Sequence, residues 1–245
     1  MSYVSDIGEF TLLMKSVFSK PEQGKMFRKQ IILEIDKIGI NSIGIVLIVS
    51  SFIGAVVTMQ TAYNMSDPLF PDYLVGLSTR DISLLEFSST VMCLILAGKI
   101  GSNIASEIGT MKVTQQVDAL EIMGVNSSNY LILPKIIAAV FSFPILSLIS
   151  MIVSMMGGWI AGMLSGSVSS SQFLYGLRYG FIPYYLYYSL IKVVTYSLII
   201  TAISSYYGYR TEGGALEVGK SSTKAVVSSS LFILVFDLLL TSLLL

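Results

Sequence analysis

The sequence predicts an all-α integral membrane protein of five transmembrane helices, with amphipathic helices at the N-terminus and a polar helix between the second and third spans. Three observations carry that expectation. Of 245 residues, 53% are hydrophobic and only 12% charged, and the mean hydropathy is +0.76, outside the range of soluble domains. The apolar residues gather into five runs, each at least the ~20 residues that a bilayer core demands. The 15 basic and 15 acidic residues cancel overall, so no global field points to nucleic acid, yet the basic residues are shared unevenly among the connections.

Residues 1–37 do not read as a span. Ile7, Phe10, Leu13, Met14, Val17 and Phe18 form one apolar helical stripe, and Lys20 and Pro21 break it. Phe27, Ile31, Ile35 and Ile38 form a second stripe, decorated by Lys25, Arg28, Lys29 and Lys37. Both pieces are expected to lie in the membrane interface, held by apolar insertion and by attraction of lysines to anionic lipid. This divides the chain into an interfacial unit, 1–37, and a five-span domain, 38–245. Asp6 and Glu9 spoil a signal-peptide layout, so no cleavage is expected.

The spans are placed at about 40–63, 82–102, 132–163, 183–206 and 224–245. Pro134 suits the first turn of the third span, Pro144 predicts a kink within it, and its length predicts tilt or projection. Residues 97–125, AGKIGSNIASEIGTMKVTQQVDALEIMGV, are polar and amphipathic. Ile104, Ile108 and Met111, then Val113, Val117 and Leu120, recur at three- and four-residue spacing and predict one helix, stopped at Gly124. Six basic residues precede the first span, and Lys99, Lys112 and Lys135 surround this helix. Arg210, Lys220 and Lys224 surround the fourth-to-fifth connection, whereas the opposite loops hold only Arg80 and Arg178. Twelve against two places the N-terminus and the 97–125 helix in the cytoplasm and the C-terminus outside.

The chain lacks histidine, which counts against haem anchors, zinc proteases and serine–histidine hydrolases. Its one cysteine, Cys93, lies in an apolar run and reads as core packing, so no disulfide or metal site is expected. Residues 214–221, GALEVGKS, match the G-x-x-x-x-G-K-[ST] pattern of a phosphate-binding loop. That loop needs a preceding strand, a sheet to hold it and a magnesium-holding aspartate elsewhere, and a short connection between spans has no room for them. Here the pattern reads as a turn: Gly213 and Gly214 end one helix, and Ser221, Ser222 and Thr223 offer caps for the next. No internal repeat is evident, and five spans cannot split into equal inverted halves, which argues against a self-contained secondary transporter.

Three ionisable residues, Glu86, Lys192 and Asp237, lie within spans, where charge is costly and normally faces protein or an aqueous cavity. At a rise of ~1.5 Å per residue they stand ~24, ~21 and ~20 Å from the cytoplasmic helix ends. One lysine in the same layer as two carboxylates permits neutralisation, read either as a structural salt bridge or as the polar floor of a lipid-accepting cavity. Tyr187, Tyr188 and Tyr196 lie deep enough to line such a cavity, or simply to pack. Ala97, Gly101, Ala105 and Gly109 form a four-residue stripe that lets another helix approach closely, within the chain or across a dimer.

The long stretch 97–125, with LILPKIIA at 131–138, IGINSIGIVLIVSSFIGAVVTMQ at 38–60 and GGALEVGKSSTKAVV at 213–227, resembles the MlaE permease family. These are membrane subunits of ABC transporters that move phospholipid between the inner and outer membranes of Gram-negative bacteria, with relatives among YrbE proteins and chloroplast lipid importers. The resemblance implies a homodimer in the inner membrane with a lipid cavity at the dimer interface. Glu86, Lys192, Asp237, Gln60 and Tyr188 become cavity candidates. It implies a coupling helix at 107–124, with Glu107, Gly109, Met111, Lys112, Gln115, Gln116, Asp118 and Glu121 facing a cytoplasmic ABC ATPase subunit (MlaF-like). ATP and magnesium would be used by that partner, and this chain would bind no cofactor and catalyse no reaction. A periplasmic MCE-domain protein (MlaD-like) and a small cytoplasmic STAS-type subunit complete the implied assembly. Leu85 departs from the family pattern, in which an arginine often precedes the glutamate. Two other readings stand beside this one: a membrane anchor that assembles a ring and an ATPase, and an ion-coupled secondary transporter.

Overall fold

A computed structural model describes residues 3–19, 24–67 and 70–245. Among these, every regular element is helical. Helix α1 spans Tyr3–Val17. Helix α2 (Gly24–Ile35) passes through a π turn (Asp36–Ile40) into α3 (Asn41–Asn64) without a break. Helix α4 (Tyr73–Ile82), a π segment (Ser83–Val91), α5 (Met92–Leu96), a π turn (Ala97–Gly101) and α6 (Ser102–Val113) also form one continuous rod. Helices α7 (Gln116–Ile122), α8 (Ser127–Leu164), α9 (Ser170–Arg178), α10 (Tyr184–Tyr209) and α11 (Ala215–Leu244) follow. The predicted break at Lys20 and Pro21 lies outside the described residues, as does the side chain of Lys25.

Five helices are long and apolar enough to cross a membrane: Phe27–Asn64, Tyr73–Val113, Ser127–Leu164, Tyr184–Tyr209 and Ala215–Leu244. The chain is therefore built as a multi-pass membrane protein. Each helix outruns its predicted span because hydropathy marks only the stretch suited to hydrocarbon, while backbone hydrogen bonding carries the helix on through polar residues. The second N-terminal stripe is continuous in helix with the first span. Two expectations change. Pro134 sits well inside α8, whose start is capped instead by Asn126, its Oδ1 accepting from the Asn129 amide at 3.2 Å. Helix α11 begins at Ala215 rather than near Lys224, which makes the phosphate-loop-like string mostly helix. Gly213, at φ 108°, makes the turn before it. The hydroxyls of Ser221 and Thr223 donate to the carbonyls of Tyr207 and Gly219, and that of Ser222 bonds Ser102, so none caps the helix.

The chain forms two compact units. The first comprises Met1–Asn41, Leu94–Ser142 and Thr195–Leu239; the second comprises Ser42–Cys93, Phe143–Val194 and Leu240–Leu245. In the second unit α3 and α8 touch backbone to backbone. A Cβ on Gly54 would lie 1.8 Å from the Ser154 carbonyl oxygen, and one on Gly157 would lie 2.3 Å from that of Ser51. Helices α4 and α9 interlock the same way, with Gly76 against the Phe173 carbonyl and Gly176 against that of Tyr73. Val75, Val168 and Phe173 are buried beside them, with Trp159, Ala62, Met65 and Leu177 packed around. In the first unit the small-residue stripe is buried within this chain. Gly101 faces Ser204, Gly109 faces Thr211 and Val218, and Gly208 lies against the Ala105 backbone.

Candidate functional site

The intramembrane charges are set by helical spacing. Glu86 and Thr90 sit four residues apart in the π segment, and Tyr188 and Lys192 four apart on α10, so each pair shares one helix face. In the second unit Lys192 Nζ lies 3.1 Å from Glu86 Oε1 and donates to Tyr188 Oη at 3.1 Å. It also stands 4.9 Å from the centre of the Tyr188 ring, within cation–π range. Tyr188 Oη and Thr241 Oγ1 share a 2.8 Å hydrogen bond, and Thr90 Oγ1 donates to Glu86 Oε2 at 3.1 Å. The lysine side chain is 0% exposed but that of Glu86 is 43% exposed. A buried cation therefore fixes a carboxylate whose other side stays open. In the first unit, Asp237 Oδ1 accepts from Tyr196 Oη at 2.7 Å. Gln60 and Tyr187 are exposed, whereas Tyr188 and Tyr196 are fully buried.

Arg80 is 2% exposed. Its Nη1 donates to the carbonyls of Leu177 and Tyr179 at 3.0 and 2.8 Å, and its Nε and Nη2 engage Asp81. Those carbonyls belong to the C-terminal end of α9, which the guanidinium closes. Arg80 is therefore an anchor of the α4–α9 pair.

The stretch expected as one amphipathic helix is two. Helix α6 ends at Val113, and Gln115 takes a left-handed conformation at φ 61° before α7 begins. No glycine marks the break, so helical periodicity ran across it unseen. Lys112 and Asp118 bridge the joint at 2.7 Å. Gly124, at φ 80°, closes α7: its amide donates to the Glu121 carbonyl and the Val125 amide to that of Leu120, the paired bonds of a Schellman stop. Gly109 and Val117 are buried, Met111 and Lys112 are half-buried, and Gln115 and Gln116 are exposed. At the tip Ile122 is 88% exposed and Met123 68%. Glu121 accepts from Ser127 Oγ at 2.7 Å and Tyr209 Oη at 2.9 Å, and these two bonds, Ser127 first, pull its carboxyl below the ordinary pKa.

Glu107 joins a charged quartet with Glu34, Lys37 and Lys135, in which Lys135 Nζ meets Glu34 Oε1 at 2.8 Å and Glu107 Oε2 at 2.5 Å, while its own side chain stays 40% exposed. Glu34 escaped sequence reading although it left a signal. It falls between Ile31 and Ile38 on an otherwise apolar stripe, where an acidic residue demands a buried partner.

The chain is thus an all-helical, multi-pass membrane protein with charge held inside its spans and a polar segment between two of them. Residues 31–243 match the family described as Permease MlaE, and the chain belongs to that family. A probable ABC transporter permease protein of Rickettsia bellii (strain RML369-C) is 33% identical over 237 residues, covering 97% of this chain and 91% of that protein. The probable ABC transporter permease protein slr1045 of Synechocystis sp. is 31% identical, covering 94% of this chain and 87% of its own length. The chloroplastic protein TRIGALACTOSYLDIACYLGLYCEROL 1 of Arabidopsis thaliana is 30% identical over 90% of this chain and 63% of that protein. An ABC transporter permease works with an ATPase subunit, and the membrane chain itself is a transporter component rather than a catalyst.

Proposed function

We infer that this chain is the lipid-handling permease of a phospholipid transporter, acting as a homodimer in a bacterial inner membrane with its N-terminus cytoplasmic. The observation that carries the reading is the Glu86–Lys192–Tyr188 constellation. A carboxylate held half-open beside a buried ammonium, within helices apolar enough to span a membrane, suits contact with a charged headgroup while acyl chains meet apolar wall. The name of the Arabidopsis relative carries a galactolipid, which is in keeping with a lipid cargo. Gln60, exposed in the same unit as Lys192, is a further polar residue of this path. A partner ATPase binds and hydrolyses ATP with magnesium, and the α6–α7 segment receives its stroke through the exposed Ile122–Met123 tip. An MCE-domain protein continues the lipid path on the outer side, and a STAS-type subunit joins on the cytoplasmic side.

The test is ATP-dependent movement of labelled phospholipid between donor and acceptor vesicles by the reconstituted complex. Lys192→Ala and Lys192→Glu lower transport by about tenfold or more at normal protein abundance, equivalent to ~1.4 kcal/mol. Unchanged transport by both variants at normal abundance removes Lys192 from the mechanism. Transport that persists when the partner cannot hydrolyse ATP overturns the ABC reading.

A further inference from the structure

Helix α1 ends without the glycine that commonly closes a helix: residues 17–21 read VFSKP. Its last carbonyls still need donors, and α8 supplies them. The Asn129 side chain, on the first turn of α8, gives one amide hydrogen to the Val17 carbonyl at 2.6 Å and the other to that of Ser19 at 2.7 Å. Asn129 is 4% exposed, and these two bonds use its whole donor capacity. Asn126 acts from the elbow between α7 and α8. Its Oδ1 caps α8, while its Nδ2 donates to the Ser16 carbonyl at 3.3 Å and to Ser19 Oγ at 3.0 Å. Ser16 Oγ and Ser128 Oγ share a further bond of 2.8 Å.

The end of α10 ties in the same parts. Tyr206 and Tyr209 are three residues apart and share one helix face. Tyr206 meets α1, its ring edge-on to that of Phe10 with centres 5.5 Å apart, and beside it Arg210 Nε lies 3.2 Å from Glu9 Oε2. Tyr209 meets α7 at Glu121 and the start of α8 at Ser127. Helix α1, the end of α10 and the α7–α8 elbow thus close a ring of contacts inside the first unit, and the Ile122–Met123 tip stands on that ring between Glu121 and Asn126. Helix α7 has seven residues, of which only Val117 is buried. A helix so short does not hold its own shape in water, so its direction comes from what its ends are tied to.

We propose that α1 is a strap that sets where the Ile122–Met123 tip stands, with Asn126 and Asn129 as its positioning residues. The inference rests on the reading of that tip as the ATPase contact, and it names what holds the tip ready for its partner. With the strap cut, α7 samples several directions, of which only a fraction fits the ATPase. Apparent affinity falls by that fraction, whereas the complex, once formed, is the same complex and works at the same rate.

The experiment has two arms. The first is hydrogen exchange of the full chain in detergent with no ATPase present. In Asn129→Leu, which keeps the branched shape and removes both donors, the amides of Gln116–Ile122 exchange about tenfold faster than in the unaltered chain. Ser16→Ala, which leaves Asn129 in place, gives a smaller rise and serves where the first variant folds poorly. The second arm titrates the ATPase subunit against the chain. In Asn129→Leu the ATPase concentration for half-maximal hydrolysis rises about threefold to tenfold while the rate at saturation holds. Thr11→Ala, at an exposed α1 hydroxyl that bonds the Ile7 carbonyl of its own helix, changes neither readout. A lowered melting midpoint with α7 exchange and half-saturation unmoved assigns these residues a structural role and overturns the strap. Faster α7 exchange with unmoved half-saturation overturns its part in docking. Half-saturation unmoved by Ile122→Asp refutes instead the reading of the tip, a failure kept apart by the exchange arm, which needs no partner.

Discussion

Lys135 is 3% exposed and touches two carboxylates, one of them, Glu34, itself 5% exposed. Removing such a cation leaves a charge stranded in the interior, a loss of roughly 3–5 kcal/mol for buried pairs. Lys135→Met should therefore lower the unfolding midpoint in detergent sharply, and adding Glu34→Gln should recover part of the loss. A double variant no better than the single one would show that the pair is not coupled. Glu121 makes a separate prediction in pH. Its folded pKa lies below the ordinary carboxylate value of about 4.3. Its contribution to stability is therefore present above that value and fades as pH falls through the folded pKa. Ser127→Ala or Tyr209→Phe should raise the Glu121 midpoint in a carbon-13 carboxyl NMR titration, and an unmoved midpoint would refute the cause assigned here. At this scale the sequence exposed Glu86, Lys192 and Asp237 because charge stands out against apolar runs. It concealed Lys135, which sits where span and polar flank meet and looks like ordinary solvated charge, while the signal that Glu34 left on its apolar stripe went unread.

The elements were legible wherever one physical rule governed them. Five apolar runs became five helices because a spanning backbone must satisfy its hydrogen bonds internally, and Gly124 stopped α7 because its left-handed φ suits glycine. The π turns left no trace, since an extra residue in a turn changes no composition. The joint at Gln115 was hidden because a non-glycine residue occupies the left-handed region. The glycines of α3 offer a contrast that tests the packing directly. A Cβ at Gly44 meets nothing within 4 Å, so Gly44→Ala should stabilise by about 0.5–1 kcal/mol through helix propensity. At Gly54 the same atom would strike backbone at 1.8 Å, so Gly54→Ala should destabilise by about 1–3 kcal/mol or more. Thermal unfolding of the two variants gives opposite signs, and equal shifts would contradict the close approach.

For the whole molecule, the proposed function makes the exposed Ile122 and Met123 the place where the ATPase subunit would dock, since apolar side chains left open at a helix tip suit a partner surface. Ile122→Asp or Met123→Asp should weaken co-purification of the ATPase subunit by about tenfold or more while the chain's own melting curve stays put, as expected of an interface anchor. Retention of the ATPase by both would place the contact elsewhere. The backbone contact of α3 with α8 bears on how force could be used. Sliding of packed helices proceeds by side chains changing rotamer as ridges pass one another. Where Gly54 meets Ser154 and Gly157 meets Ser51, no side chain stands between the two backbones to give way. These helices act as a single plank within their unit, and a stroke reaching it must move the plank entire or bend it, because it has no gears to slip.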